Sequence, residues 1–169
     1  LFSAAVQTSQ VMPGPEVTKA LLDALKALPA DSQILVLQSL SLRGDKQALP
    51  AILAMAKSGP APVRLAALQG AAEMGDGAAV PVLVQLLDDA DKEIATTAQE
   101  CLAALPGKDA DAAILVMFKD QDAAKRRRAI AMMERRRLTG SAAMLLTAAR
   151  DAGPEVRPSL IKAAGEMAT

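Results

Sequence analysis

Apolar side chains return along this chain with the period of a helix. Leu21, Leu22, Leu25 and Leu28 form one such stripe, and Val80, Leu83, Val84 and Leu87 form another. No stretch sustains the one-in-two alternation of a half-buried strand, so the pattern predicts helices throughout. Two series of punctuating residues cut the stripes. Gly14, Gly44, Gly75, Gly107 and Gly140 lie 30, 31, 32 and 33 residues apart, and Asp31, Pro60, Asp91, Asp122 and Gly153 lie 29, 31, 31 and 31 apart. Interleaved in this way they divide the chain into helical hairpins, predicted at Glu16 to Arg43, Lys46 to Met74, Ala78 to Leu105, Asp109 to Leu138 and Ser141 to Ala168. Leu1 to Gln10 reads as a remnant helix. Asp31, Asp91 and Asp122 stand where an N-cap carboxylate accepts amide protons at the start of a second helix, and the glycines stand past its end. Pro50 and Pro81 fall early in first helices, where a missing amide proton costs little. Pro158 lies further past its punctuating Gly153 and predicts a distorted or delayed start to the last helix.

The repeats match one another in sequence as well as in period. APVRLAALQGAAEM returns as PEVRPSLIKAAGEM, with Val63, Arg64, Glu73 and Met74 recurring 93 residues later as Val156, Arg157, Glu166 and Met167. Hairpins of this length cannot bury their stripes alone, so they stack on their neighbours. The expected fold is therefore all-α, an α-solenoid of about five antiparallel helical hairpins over residues 14–169, with 1–13 as a remnant helix or linker. Met144, Leu145, Leu160 and Ile161 make the last hairpin apolar on more than one side, unlike a polar capping repeat, and the chain opens on half a hairpin. Both features lead to the expectation that these residues are a segment of a longer protein.

GAAVPVLVQLLDDADKEIATTAQECLAALPG and GPAPVRLAALQGAAEMGD resemble short HEAT repeats of the type named after phycobilisome lyases. The Val-Arg pair that such repeats carry after the hairpin turn is present as Val63 with Arg64 and Val156 with Arg157. It is replaced by Ile94 with Ala95 in the third repeat and by Lys125 with Arg126 in the fourth. The resemblance implies a HEAT-like superhelix and a non-enzymatic scaffold that binds proteins or peptides. An alternative it also implies is an enzyme accessory or a lyase-like chromophore binder.

Composition bears on that alternative. The chain has two Phe and neither Trp nor Tyr, so it offers little for a flat chromophore or a flipped base to stack on. Phe118 follows Ile114 and Leu115 at helical spacing and belongs to the core. With no His, the commonest general acid/base and zinc ligand is absent. Neither a cofactor nor catalysis is expected. The acids Asp88, Asp89, Asp91 and Glu93, then Asp109 and Asp111, lack the alternating ligands and central glycine of a calcium loop, so they are expected to cap turns and not to hold a metal. Cys101 lies between Ala98 and Leu102 on an apolar face and is expected to be buried. One cysteine leaves the compartment open. No run has the length and flanks of a membrane span, so the chain reads as soluble.

Charge singles out one helix. The chain is neutral, yet Glu73 to Asp122 holds eleven acids against three lysines, and DAAKRRRAIAMMERRRLTG then places seven cations between Asp122 and Gly140. Projected at 100° per residue, Ala129, Ile130, Met132 and Met133 share one arc, and Arg127, Arg128, Ala131, Glu134 and Arg135 share the other. Lys125, Arg126, Arg136 and Arg137 fall nearer the apolar arc, as packing residues with long stems. By the HEAT resemblance second helices line a concave face, which would put Arg127, Arg128 and Arg135 in a position to receive an acidic segment. The bland alternative is that they balance the acidic repeat beside them. The absence of a long basic stripe with interleaved aromatics argues against nucleic acid.

Overall fold

In the computed structural model, which describes residues 2–138, 141–151 and 153–167, the regular elements are all helical. In chain order they are α1 (Phe2–Val11), α2 (Pro15–Leu25), α3 (Ala30–Arg43), α4 (Leu49–Lys57), α5 (Ala61–Glu73), α6 (Val80–Leu86), α7 (Lys92–Ala104), α8 (Lys108–Phe118), α9 (Ala123–Arg136), α10 (Ser141–Asp151) and α11 (Arg157–Met167). The pairs α2/α3, α4/α5, α8/α9 and α10/α11 pack as hairpins, and α6 with α7 makes up the third repeat. Among the described residues four of the five expected hairpins are thus packed pairs, the third is represented by its two helices in order, and α1 precedes them as the expected remnant.

Local chemistry explains where the helices begin and end. Pro15, Pro50 and Pro81 all occupy the first turn of a helix. Single 3-10 turns, Lys46–Ala48 and Gly77–Ala79, lead into α4 and α6, and Asp45 and Asp76 cap them by accepting the amides of Gln47 and Ala78 at 3.0 Å. Asp91 and Asp122 cap α7 and α9 as expected, accepting from Glu93 at 2.9 Å and Ala124 at 2.7 Å. Asp31 does not cap α3. That helix starts one residue earlier, the extended Pro29 is its N-cap, and Asp31 lies inside the first turn. The last helix starts late, at Arg157 after the turn 154–156, with Pro158 in its first turn. Gly44 and Gly75 end α3 and α5 in the left-handed conformation, at φ 64° and 65°. At the same register in the fourth repeat stands Arg137, at φ 48°, the one non-glycine with positive φ among the described residues. Gly140, the punctuating glycine of that repeat, lies outside them.

The chain divides into two compact units, Leu1–Cys101 and Leu102–Thr169. In the first, α3 packs against α1, α2 and α5, and Leu37, Leu40, Ile52, Leu68 and Leu83 are completely buried. Burying such a side chain contributes about 1.5–3 kcal/mol, which is how short helices without long-range propensity are held in place. The contact of α3 with α5 is close because Gly70 has no side chain: a Cβ there would lie 2.1 Å from Ser41 Oγ. Small polar side chains stitch neighbouring second helices. Ser39 Oγ donates to the Val6 carbonyl at 3.3 Å, and Cys101 Sγ makes the same link to Leu68, also 33 residues back, at 3.6 Å. Cys101 is buried, as its neighbours predicted. In the second unit Leu105, Ile114, Ile130, Met132 and Met133 form the core under α8, α9 and α11, and Phe118 belongs to it.

Candidate functional site

The cations of α9 are sorted by the helix into different tasks. Arg126 folds back on the turn between α8 and α9, where Nη1 donates to the carbonyls of Asp120 at 2.9 Å and Gln121 at 2.6 Å. Lys125 sits 3.5 Å from the Asp120 carboxylate. Arg136, with only 10% of its side chain exposed, reaches across to the end of α7. Its Nη1 donates to the carbonyls of Leu102 (3.3 Å), Ala103 (3.1 Å) and Leu105 (2.5 Å), its Nη2 to that of Gly107 (3.4 Å), and its Nε to Asp111 Oδ1 (2.8 Å). These are orphan carbonyls at a helix C-terminus, and a guanidinium supplies the forked donors and positive charge they lack. Sequence reasoning placed Arg126 and Arg136 among packing residues but did not foresee these partners.

The signal for them was in the 93-residue correspondence. Arg43, three repeats before Arg136, donates from Nη1 to the carbonyls of Ser9 and Met12, from Nη2 to that of Gly14 at 3.0 Å, and from Nε to Thr18 at 3.2 Å. The arginines of the Val-Arg pairs form a second set. Arg64 Nε donates to the Ala56 carbonyl at 3.0 Å and Arg157 Nε to that of Ala149 at 3.1 Å, each closing the first helix of its own hairpin. Gln33 does the same for Leu25 at 3.1 Å. Arg64 also makes a bidentate pair with Asp89 in the next hairpin turn.

Those turns employ several of the acids considered above. Asp89 accepts from Arg64 and from the Asp91 amide, and these bonds hold its carboxyl below the usual range. Asp120 is lowered in the same way, first by the Asp122 amide and then by the charge of Lys125. Asp111 is paired with Arg136. Among the described residues no three metal-ligating side chains gather in one place.

Arg127, Ala131 and Arg135 remain exposed along one edge of α9, while Arg128 and Glu134 are half-buried beside them and Arg128 has a polar partner. Glu134 titrates above the ordinary glutamate value, because burial disfavours its charge and Glu166 of α11 repels it, against the attraction of Lys162. What this face can do is form charge-assisted hydrogen bonds to carboxylates through guanidinium groups that point away from the core.

A family model described as HEAT repeats matches residues 18–103 and again 54–118. None of the curated proteins matches the sequence. Among the described residues no helix is long and apolar enough to cross a membrane.

Proposed function

We propose that this chain, which belongs to the HEAT repeat family, is a non-enzymatic protein-interaction scaffold whose α9 binds an acidic segment through Arg127, Arg128 and Arg135. HEAT repeats generally mediate protein–protein interaction, and the fold alone does not say with what. The observation that carries the narrower reading is the division of labour on α9. Arg126 and Arg136 are committed to backbone carbonyls, whereas Arg127 and Arg135 stand exposed on the same helix.

Their spacing describes the partner. Two turns of helix separate them, about 12 Å along the axis at 1.5 Å per residue. An extended segment with carboxylates four residues apart spans about 13 Å, so an acid-x-x-x-acid pattern in an extended partner fits the pair. Binding of this kind is electrostatic and weakens with salt. The test is titration of the protein with an oligo-glutamate peptide at low and high ionic strength. Saturable binding that weakens with salt is expected, and no binding at low salt would overturn the reading.

A further inference from the structure

At the N-terminal end of α9 the second unit holds an open cavity of about 450 Å³. Its floor is apolar, built from Phe118 of α8, Ala148 of α10, and Val156 and Leu160 at α11. Its rim is polar and contains Lys119, Asp120, Gln121 and Arg126. The charges on that rim are not equivalent. The Asp120 carboxylate already accepts the Asp122 amide at 2.9 Å and lies 3.5 Å from Lys125, so its charge is largely answered from within the turn. Lys119 is exposed, and Arg126, whose Nη1 is held on the carbonyls of Asp120 and Gln121, keeps its charge at the opening, which leaves the mouth positive. Arg127, the first exposed arginine of the basic edge, follows Arg126 on α9 about 100° around the helix and does not itself line the cavity.

We infer that this cavity seats an apolar side chain of the acidic partner, so that the recognised segment is a hydrophobic residue flanked by carboxylates and not a purely acidic tract. The inference rests on the reading of α9 as an acid-binding face and adds to it what gives the contact its depth. Exposed charges alone yield weak, salt-sensitive attraction. An apolar anchor in a desolvated pocket supplies affinity that salt does not remove, with the carboxylates fixing its orientation against the exposed Lys119. The apolar floor matches a leucine or methionine, and the positive mouth selects against a basic neighbour to that anchor.

Two synthetic peptides test this: oligo-glutamate carrying a single central leucine, and the same peptide with alanine in its place. The leucine peptide is expected to bind about tenfold more tightly, as burial of a leucine side chain against an alanine implies. The difference should persist at high salt. Ala148→Phe, which fills the cavity, should bring the two peptides to equal affinity, and Lys119→Glu on the exposed rim, which leaves the core untouched, should weaken both. Equal affinity of the two peptides for the unaltered protein would overturn the anchor while leaving the acid-binding face intact. Failure of either peptide to bind at low salt would overturn both.

Discussion

Arg43 and Arg136 make the same set of contacts three repeat periods apart. Each ends a second helix and points its guanidinium at the carbonyls 34, 31 and 29 residues earlier, with its Nε on a side chain 25 residues earlier. One arginine thus closes the preceding second helix and ties down the start of the following first helix.

Truncating Arg136 should therefore be costly. Arg136→Ala leaves several half-buried carbonyls and Asp111 without their donor, and a loss of about 2–4 kcal/mol is expected from urea unfolding. Arg136→Lys should recover little, because an ammonium cannot reproduce the fork. Arg127→Ala on the exposed edge should change stability by less than about 0.5 kcal/mol. Equal effects of the two alanine substitutions would contradict the division of labour on α9.

The same register predicts a stabilising change. Arg137 occupies, in left-handed conformation, the position at which Gly44 and Gly75 end their helices. Arg137→Gly removes the steric cost of a Cβ there and should raise stability by about 1 kcal/mol, seen as a higher thermal midpoint. A lower midpoint would mean that the side chain contributes more than the backbone conformation costs.

Glu134 gives a prediction with a definite pH sign. Its folded pKa is raised above the unfolded value, chiefly by burial, so the folded state holds a proton more tightly and stability falls as pH rises through that window. Glu134→Gln should therefore stabilise the protein at neutral pH, and the gain should disappear on acidification below the ordinary glutamate pKa, where both side chains are neutral. A gain independent of pH would point to packing instead of charge.

Asp89 carries the opposite sign. Its folded pKa is depressed by Arg64 and the Asp91 amide, so the stability it contributes is present above the ordinary aspartate value and is lost as pH falls through the folded one. Arg64→Met should reduce stability at neutral pH and make acid unfolding shallower between those two values, measured by circular dichroism against pH.

The period and the punctuation were legible because they depend on local chemistry. Glycine, proline and aspartate act within a turn or two, and their spacing placed the helix pairs and the delayed start at Pro158, while the helical period of apolar residues placed Phe118 and Cys101 in the core. Asp31 was misread because Pro29, two residues before it, starts the helix first. The arginine clamps were not legible as such. Their partners are backbone carbonyls of an adjacent repeat, which any residue can supply, so only the recurrence of Arg43 at Arg136 hinted at a shared task. On α9 the helical projection separated Arg127 and Arg135 from Arg126 and Arg136 correctly, but half-buried Arg128 and Glu134 depend on neighbours that a projection of one helix does not contain.

Acid binding by α9 is tested most simply by the affinity of the leucine-bearing oligo-glutamate peptide for the triple variant Arg127→Glu, Arg128→Glu, Arg135→Glu at low salt. Arg127 and Arg135 are exposed and Arg128 is half-buried, so the circular dichroism spectrum of the variant is recorded first, and the pair Arg127→Glu, Arg135→Glu replaces it if the helical signal is lost. The expected result is a folded protein whose affinity has fallen by at least about tenfold and whose residual binding no longer strengthens as salt is lowered. A folded triple variant that binds the peptide as tightly as the unaltered protein would contradict it.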